Sequence, residues 1–438
     1  MARSICVIYI YSQKLYQTRQ KKQMRHIHKP LKQAGFLAAA FLTATLLLAP
    51  SAMAAAPGFL GTWNTSANTL PDELYMASAV TYNGYVYIMD GVDNTGDLNA
   101  NVYYAKLNSD GSVGTWNTSA NTIPYPLYGA STVVYNGYVY LFGGDFSGAN
   151  FDKVFYAKLN SDGTVGAWNT STNVLPQAAG WSTAVTHNGY VYVMGGYGNP
   201  TGPPFTPIAL DTVYYAKLNT DGTVGAWNTS VNALPQGVVN TTSVIQNGYA
   251  YVMGGGDENF TAQSAVYYAK LNTDGTVGAW NTSVNALPQA LNGATSFTAN
   301  GSVYVTGGGS ADVVYAKLNG DGTVGVWAAT ANALPQGLVN PSAVTANGFV
   351  YVLGGADSNN VALSTVYYSS LESDPAPGAS PNGSPAAATL TAPDTGYGAS
   401  PSFDPIVLTI AAGSIVSVGF GLSLLYHYKR RERPNETI

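Results

Sequence analysis

Six side chains recur at nearly the same distance beyond a proline: Tyr75, Tyr128 and Trp181, then Asn240, Asn292 and Asn340. Each stands four or five residues past Pro71, Pro124, Pro176, Pro235, Pro288 or Pro335. The first three offer aromatic faces and the last three offer amides. A sugar ring uses both, an apolar surface for its C–H face and donors and acceptors for its hydroxyls. A peptide could use the same surface. Asp145, Asp257 and Glu258 fall in segments that differ from one copy of the repeat to the next, and their charge disfavours an anionic ligand.

Catalysis has fewer means. Asp90, Asp145, Asp257, Glu258 and Glu73 are carboxylates that could pair for glycosidase, lyase or epimerase chemistry. His187 is the only histidine between residues 55 and 426, which excludes a multi-histidine metal site, and Cys6 is the only cysteine of the chain. The repeated Asp-Gly loops carry one carboxylate each, too few for calcium; the stretch from Asp93 to Asp97, with two, is a somewhat better calcium candidate. No catalytic residue, metal ligand or cofactor is assigned. Binding or adhesion is the first reading and a glycan-active enzyme the alternative.

These residues need a scaffold, and the scaffold repeats. Trp63, Trp116, Trp168, Trp227, Trp280 and Trp327 are spaced by 53, 52, 59, 53 and 47 residues. Periods near 50 mark propellers and related repeat architectures. Each period carries an Asn-Gly, a run such as YVYVM, a variable stretch, a run such as VYYAKLN, an Asp-Gly and a Trp strand. The runs alternate β-branched and aromatic residues with smaller ones, and the Asn-Gly and Asp-Gly pairs suit tight hairpins. The sequence predicts four strands per period. The 23 residues from Tyr214 to Gln236 return unchanged from Tyr267 to Gln289, as expected of an internal duplication.

Gly-Gly doublets at 143–144, 195–196, 254–255, 307–308 and 354–355, each followed by a Tyr and all but the last by a Trp, resemble the kelch repeat. Blade one departs from it with Asp90-Gly91. The resemblance implies an all-β, six-bladed β-propeller over residues 57–372. Because a Trp strand precedes the first hairpin and none follows the last VYY run, the N-terminal strand is expected to close the last blade. The aromatic stripes are read as packing between blades. The Asn-Thr-Ser triplets beginning at Asn64, Asn117, Asn169, Asn228 and Asn281 are read as turn chemistry.

The ends carry addresses. Residues 1–54 read as a signal peptide, with the start possible at Met24 and cleavage after Ala54; an uncleaved anchor is the alternative. Residues 373–391 form a Pro/Ala/Ser-rich spacer, and 406–428 a transmembrane helix followed by a basic cytoplasmic tail, 429–438. With Ala392-Pro393-Asp394-Thr395-Gly396 ahead of it, this tail resembles a sortase (LPxTG-like) cell-wall sorting signal, although Ala stands where Leu is usual. The resemblance implies that a sortase-like transpeptidase cuts between Thr395 and Gly396 and joins Thr395 to the envelope of a bacterial cell; a plain single-pass anchor is the alternative. Between residues 55 and 428 there are six lysines and no arginine, against 21 carboxylates, which excludes a nucleic-acid partner. A monomeric propeller displayed at the cell surface is the expectation.

Overall fold

The computed structural model describes residues 60–371, apart from 147–148 and 199–207. The segments read as signal peptide with Ala54, spacer, sorting pentapeptide with Thr395 and Gly396, and transmembrane helix lie outside the described residues. Among those residues no helix is long enough and apolar enough to cross a membrane.

The architecture is an all-β propeller of six four-stranded sheets. In blade one the strands are Ser78–Tyr82, Tyr85–Met89, Val102–Lys106 and Asn117–Thr118, paired antiparallel in that order. The Asn-Gly hairpins work as the sequence requires: Asn83 and Gly84 have φ of 49° and 75°, a left-handed pair that Asn and Gly tolerate. The Asp-Gly hairpins are braced by their own side chains. Asp221 Oδ1 accepts from the Thr223 N–H at 3.0 Å and its hydroxyl at 2.7 Å, and Asn219 Nδ2 donates to the same hydroxyl at 2.9 Å.

Blade six is built from both ends of the propeller. Asn64–Thr65 adds to Ser342–Ala346, Phe349–Leu353 and Val366–Ser370, with Asn64 opposite Tyr368. Trp63 is buried there and its Nε1 donates to the Asn332 carbonyl of blade five at 3.2 Å.

The core is not one mass but a set of seams, each cluster drawing on two neighbouring blades. The third residue of every second strand is a fully buried tyrosine: Tyr87, Tyr140, Tyr192, Tyr251, Tyr304 and Tyr351. Tyr87 stacks on Tyr104 with ring centroids 6.1 Å apart, and burial pushes its hydroxyl far above the ordinary phenol range. The aromatic stripes are therefore the packing between blades. Serines and threonines of the inner strands bond across the seams near the axis, as in Ser131 to Ser182 at 3.0 Å and Thr242 to Ser296 at 2.6 Å. Between the inner strands lies an axial cavity of about 330 Å³, lined by Val80, Val133, Val244, Phe297 and Val344 among others.

Blade five departs from the expected pattern. An irregularity between Val305 and Gly307 adds a residue, so Gly309, not Gly308, donates to the Leu338 carbonyl at 2.8 Å as the second doublet glycine does elsewhere. Its second strand (Ser302–Gly307) turns directly at Gly308 and Gly309 into its third (Ser310–Lys317). Blade five thus lacks the projecting loop that the other blades carry.

Candidate functional site

The links between blades and the loops between second and third strands lie on one face. Their backbones bridge: Tyr75 with Val92, Tyr128 with Asp145, Gly180 with Tyr197, Val239 with Gly256 and Val339 with Ala356. At the centre of this face six residues close a ring of backbone hydrogen bonds around the axis. Gly129 donates to Met76 at 3.0 Å, Trp181 to Gly129 at 2.8 Å and Asn240 to Trp181 at 2.8 Å. Gly293 then donates to Asn240 at 3.1 Å, Asn340 to Gly293 at 2.9 Å and Met76 to Asn340 at 3.2 Å. All six have φ between 50° and 72°, the left-handed region.

The ring corrects the comparison made along the sequence. The equivalent positions are the fifth residues past each proline, namely Met76, Gly129, Trp181, Asn240, Gly293 and Asn340. Tyr75, Tyr128 and Asn292 stand one residue earlier. Counting from a proline cannot tell which of two adjacent residues is left-handed. Gly and Asn suit such a position on backbone grounds alone, so Asn240 and Asn340 need no ligand to explain them. Trp181 and Met76 are another matter, because a bulky left-handed residue is an outlier that the surroundings must hold in place.

Trp181 is held by other rings. It meets Tyr128 at 5.8 Å between centroids, Tyr197 at 5.7 Å and Phe260 at 5.6 Å, and Tyr197 meets Phe260 at 5.1 Å. Phe260 is also left-handed, with φ of 61°, and 42% exposed. The Trp181 Nε1 is shielded from solvent and has no acceptor within the protein. Sequence reasoning missed Tyr197 and Phe260. Tyr197 directly follows a glycine doublet, which was a usable signal; Phe260 stands where the matching loop of blade six has Asn360, so setting the two loops side by side singles out the aromatic.

The amides gather along the next arc of the ring, beside the aromatic cluster. Asn240 Nδ2 donates to Asn292 Oδ1 at 2.8 Å, and Asn292 Nδ2 donates to the Phe260 carbonyl at 2.9 Å. A Cβ at Gly293 would stand 2.1 Å from Asn340 Oδ1 and 3.0 Å from Asn240 Nδ2, so both side chains lie against that glycine. The short turn of blade five leaves this side without a loop of its own.

The carboxylates divide by role. Asp257 accepts from the Asn259 and Thr261 N–H groups at 2.9 Å each, so it shapes the turn that presents Phe260. Asp357 makes the same bonds in the matching turn of blade six. Glu258 is exposed beside it. Asp145 is buried against Tyr128, whose hydroxyl is pushed up to about 12 by burial and by this carboxylate. Tyr75 adds a smaller contribution from the neighbouring blade. Asp90 lies inside, with Oδ1 accepting from the Ser78 N–H at 2.5 Å and Oδ2 from its hydroxyl at 3.1 Å. Burial holds its carboxyl well above the usual range. Asp90 is therefore an interior acid in the seam of blades one and two rather than part of the face. Lys153 pairs with Asp152 at 3.1 Å near this face, whereas Lys106, Lys158, Lys217, Lys270 and Lys317 end their third strands on the hairpin side. Among the described residues no group of three or more His, Cys, Asp or Glu side chains is placed to hold a metal ion.

No family model matches the chain, and no curated protein matches its sequence. Among solved structures it is similar to that titled "Structure of YjhT", with a TM-score of 0.54 and 16% identity over 68% of this chain and 95% of that one. At that identity the likeness establishes the fold and nothing finer.

Proposed function

We propose that the chain is a surface-displayed binding module of kelch type whose variable face takes a neutral ligand, a carbohydrate in the first instance. One observation carries the reading: backbone strain is accepted at Trp181 and Phe260 to hold an aromatic cluster beside the axis. Strain of this kind persists where surrounding structure compensates for it, and it gathers at binding sites. The amides of Asn240, Asn292 and Asn340 follow that cluster around the ring. The carboxylates of Asp145 and Glu258, with Lys153 already paired, favour a neutral ligand over an anionic one.

Display at the surface rests on the ends of the chain. The signal at 1–54 exports the propeller, and a sortase-like transpeptidase joins Thr395 to the cell envelope after cleavage before Gly396. Deleting residues 392–396 then moves the protein from the wall fraction to the detergent-extracted membrane fraction; equal extraction of both forms contradicts the sorting step.

The ligand reading is tested by screening the exported chain on an array of neutral and acidic glycans, with reducing-end release assayed in parallel. Binding to neutral glycans without turnover supports the proposal. Turnover favours the enzyme alternative, and binding to peptides alone favours a protein ligand.

A further inference from the structure

We propose that Asn64, Asn117, Asn169, Asn228 and Asn281 are acceptor sites for N-linked glycosylation, forming a belt around the circumference of the propeller. Each begins an Asn-Thr-Ser triplet and opens the outermost strand of a blade, opposite Tyr368, Tyr104, Tyr156, Tyr215 and Tyr268 in turn. All five asparagines are exposed. Each side-chain amide donates to the carbonyl two residues earlier, at 3.1 to 3.4 Å.

The fold itself shows which part of the triplet it needs. The serine makes the turn: Ser66 Oγ donates to the Asn68 carbonyl at 3.0 Å and accepts its N–H at 3.1 Å, and Ser119, Ser171, Ser230 and Ser283 repeat the pair of bonds. Blade five then serves as an internal control. Its outer strand is Ala328–Ala329, paired with Tyr315 and Val314 in the same register, and Thr330 Oγ1 donates to the Asn332 carbonyl at 2.9 Å. The strand forms without asparagine. The turn chemistry expected of these triplets thus belongs to their third residue, and the first is free for another use.

Asn-x-Ser is the acceptor pattern for glycan transfer. In that transfer the Asn Nδ2 forms a bond to the anomeric carbon of a glycosyl donor activated through a phosphate ester. The carbon–oxygen bond to phosphate breaks, the phosphate leaves with the electron pair, and the amide proton passes to a base of the transferase. The donor and the transferase both come from outside this chain. Two further features fit. The outer strands stand as far from the axis as the blades allow, so glycans there leave the variable face clear. Val231 and Val284, 96% and 97% exposed, follow three residues after Asn228 and Asn281, where an attached glycan covers them. Glycans along these edges also block pairing with the open strands of another molecule.

The test is intact-mass and peptide mass spectrometry of the full chain purified from its own organism, beside Asn117→Gln and Asn228→Gln. The expected result is sugar-mass increments on the peptides holding these asparagines, one lost with each substitution while the melting temperature stays unchanged. A chain at its bare polypeptide mass overturns the proposal, as does a number of increments that neither substitution lowers. A chain lacking residues 1–54 separates the donors: loss of the increments points to a lipid-carried donor at the membrane, retention to a nucleotide-carried one inside the cell. Both results support the modification.

Discussion

Trp181 lies directly over Gly129, so that a Cβ on that glycine would stand 2.2 Å from Trp181 Cδ1. The two are also consecutive members of the axial ring, Trp181 donating its N–H to the Gly129 carbonyl at 2.8 Å. Glycine is required at 129 twice over, by its φ of 61° and by the indole above it.

Gly129→Ala is therefore expected to destabilise the propeller by more than the roughly 1–2 kcal/mol that a left-handed alanine costs by itself. Replacing Trp181 with Asn, the residue found at the ring in blades four and six, removes the indole and keeps a side chain that suits the backbone. In that background the same Gly129→Ala change should cost less. A denaturant double-mutant cycle checks this; equal costs in the two backgrounds mean that the indole does not rest on Gly129.

Closure by the N-terminal strand gives a second expectation. Trp63 is buried in the seam of blades five and six, and Asn332 Nδ2 donates to the Leu60 carbonyl at 2.8 Å. Trp63→Ala should cost about 3–5 kcal/mol, the range for emptying a core aromatic site. Removal of residues 58–66 should cost more, since Ser369 Oγ also loses its bond to the Gly61 carbonyl. Thermal unfolding measures both, and an unchanged melting temperature in the truncated chain contradicts the closure.

Asp90 sets a pH dependence. Its folded carboxyl titrates well above its unfolded value near 3.9 because burial disfavours the charged form. The neutral acid contributes stability fully below the unfolded pKa, and that contribution is lost as pH rises toward the folded pKa. Asp90→Asn cannot ionise. Its stability relative to the parent should therefore rise with pH from about pH 4 upward. Urea unfolding at several pH values tests this, and a difference that stays flat or falls with pH contradicts it.

The hairpin aspartates act in the opposite sense. Hydroxyl and N–H donors from Ser112, Thr164, Thr223, Thr276 and Thr323 hold Asp110, Asp162, Asp221, Asp274 and Asp321 below the ordinary carboxylate range. Their contribution is present above the unfolded pKa and is lost as pH falls through the folded values. Changing all five to Asn should flatten the acid limb of the stability profile, read by melting temperature between about pH 2 and pH 5. An acid limb as steep as the parent's would contradict it.

The fold was legible because its signals are local and repeat. Asn83-Gly84 and its five counterparts mark one hairpin, Asp221-Gly222 and its relatives mark another, and the stray Trp63 strand demanded a partner that Tyr368 supplies. The site was legible only in part. Tyr128, Trp181 and the three asparagines do gather at the axis, but the left-handed ring that gathers them leaves no mark in spacing from a proline. Phe260 takes the left-handed position that Asn360 takes in the matching turn of blade six, and the backbone bonds of Asp257 that shape the turn are not visible in a residue count.

The most direct measurement is binding of neutral glycans to the full exported chain and to Trp181→Asn, read by calorimetry on the strongest array ligand, with both melting temperatures recorded. The account predicts a loss of at least about tenfold in affinity, on the order of 1.4 kcal/mol, with the melting temperature unchanged or raised. Equal affinity in the two proteins would contradict it, as would a parent chain that binds acidic glycans and no neutral ones.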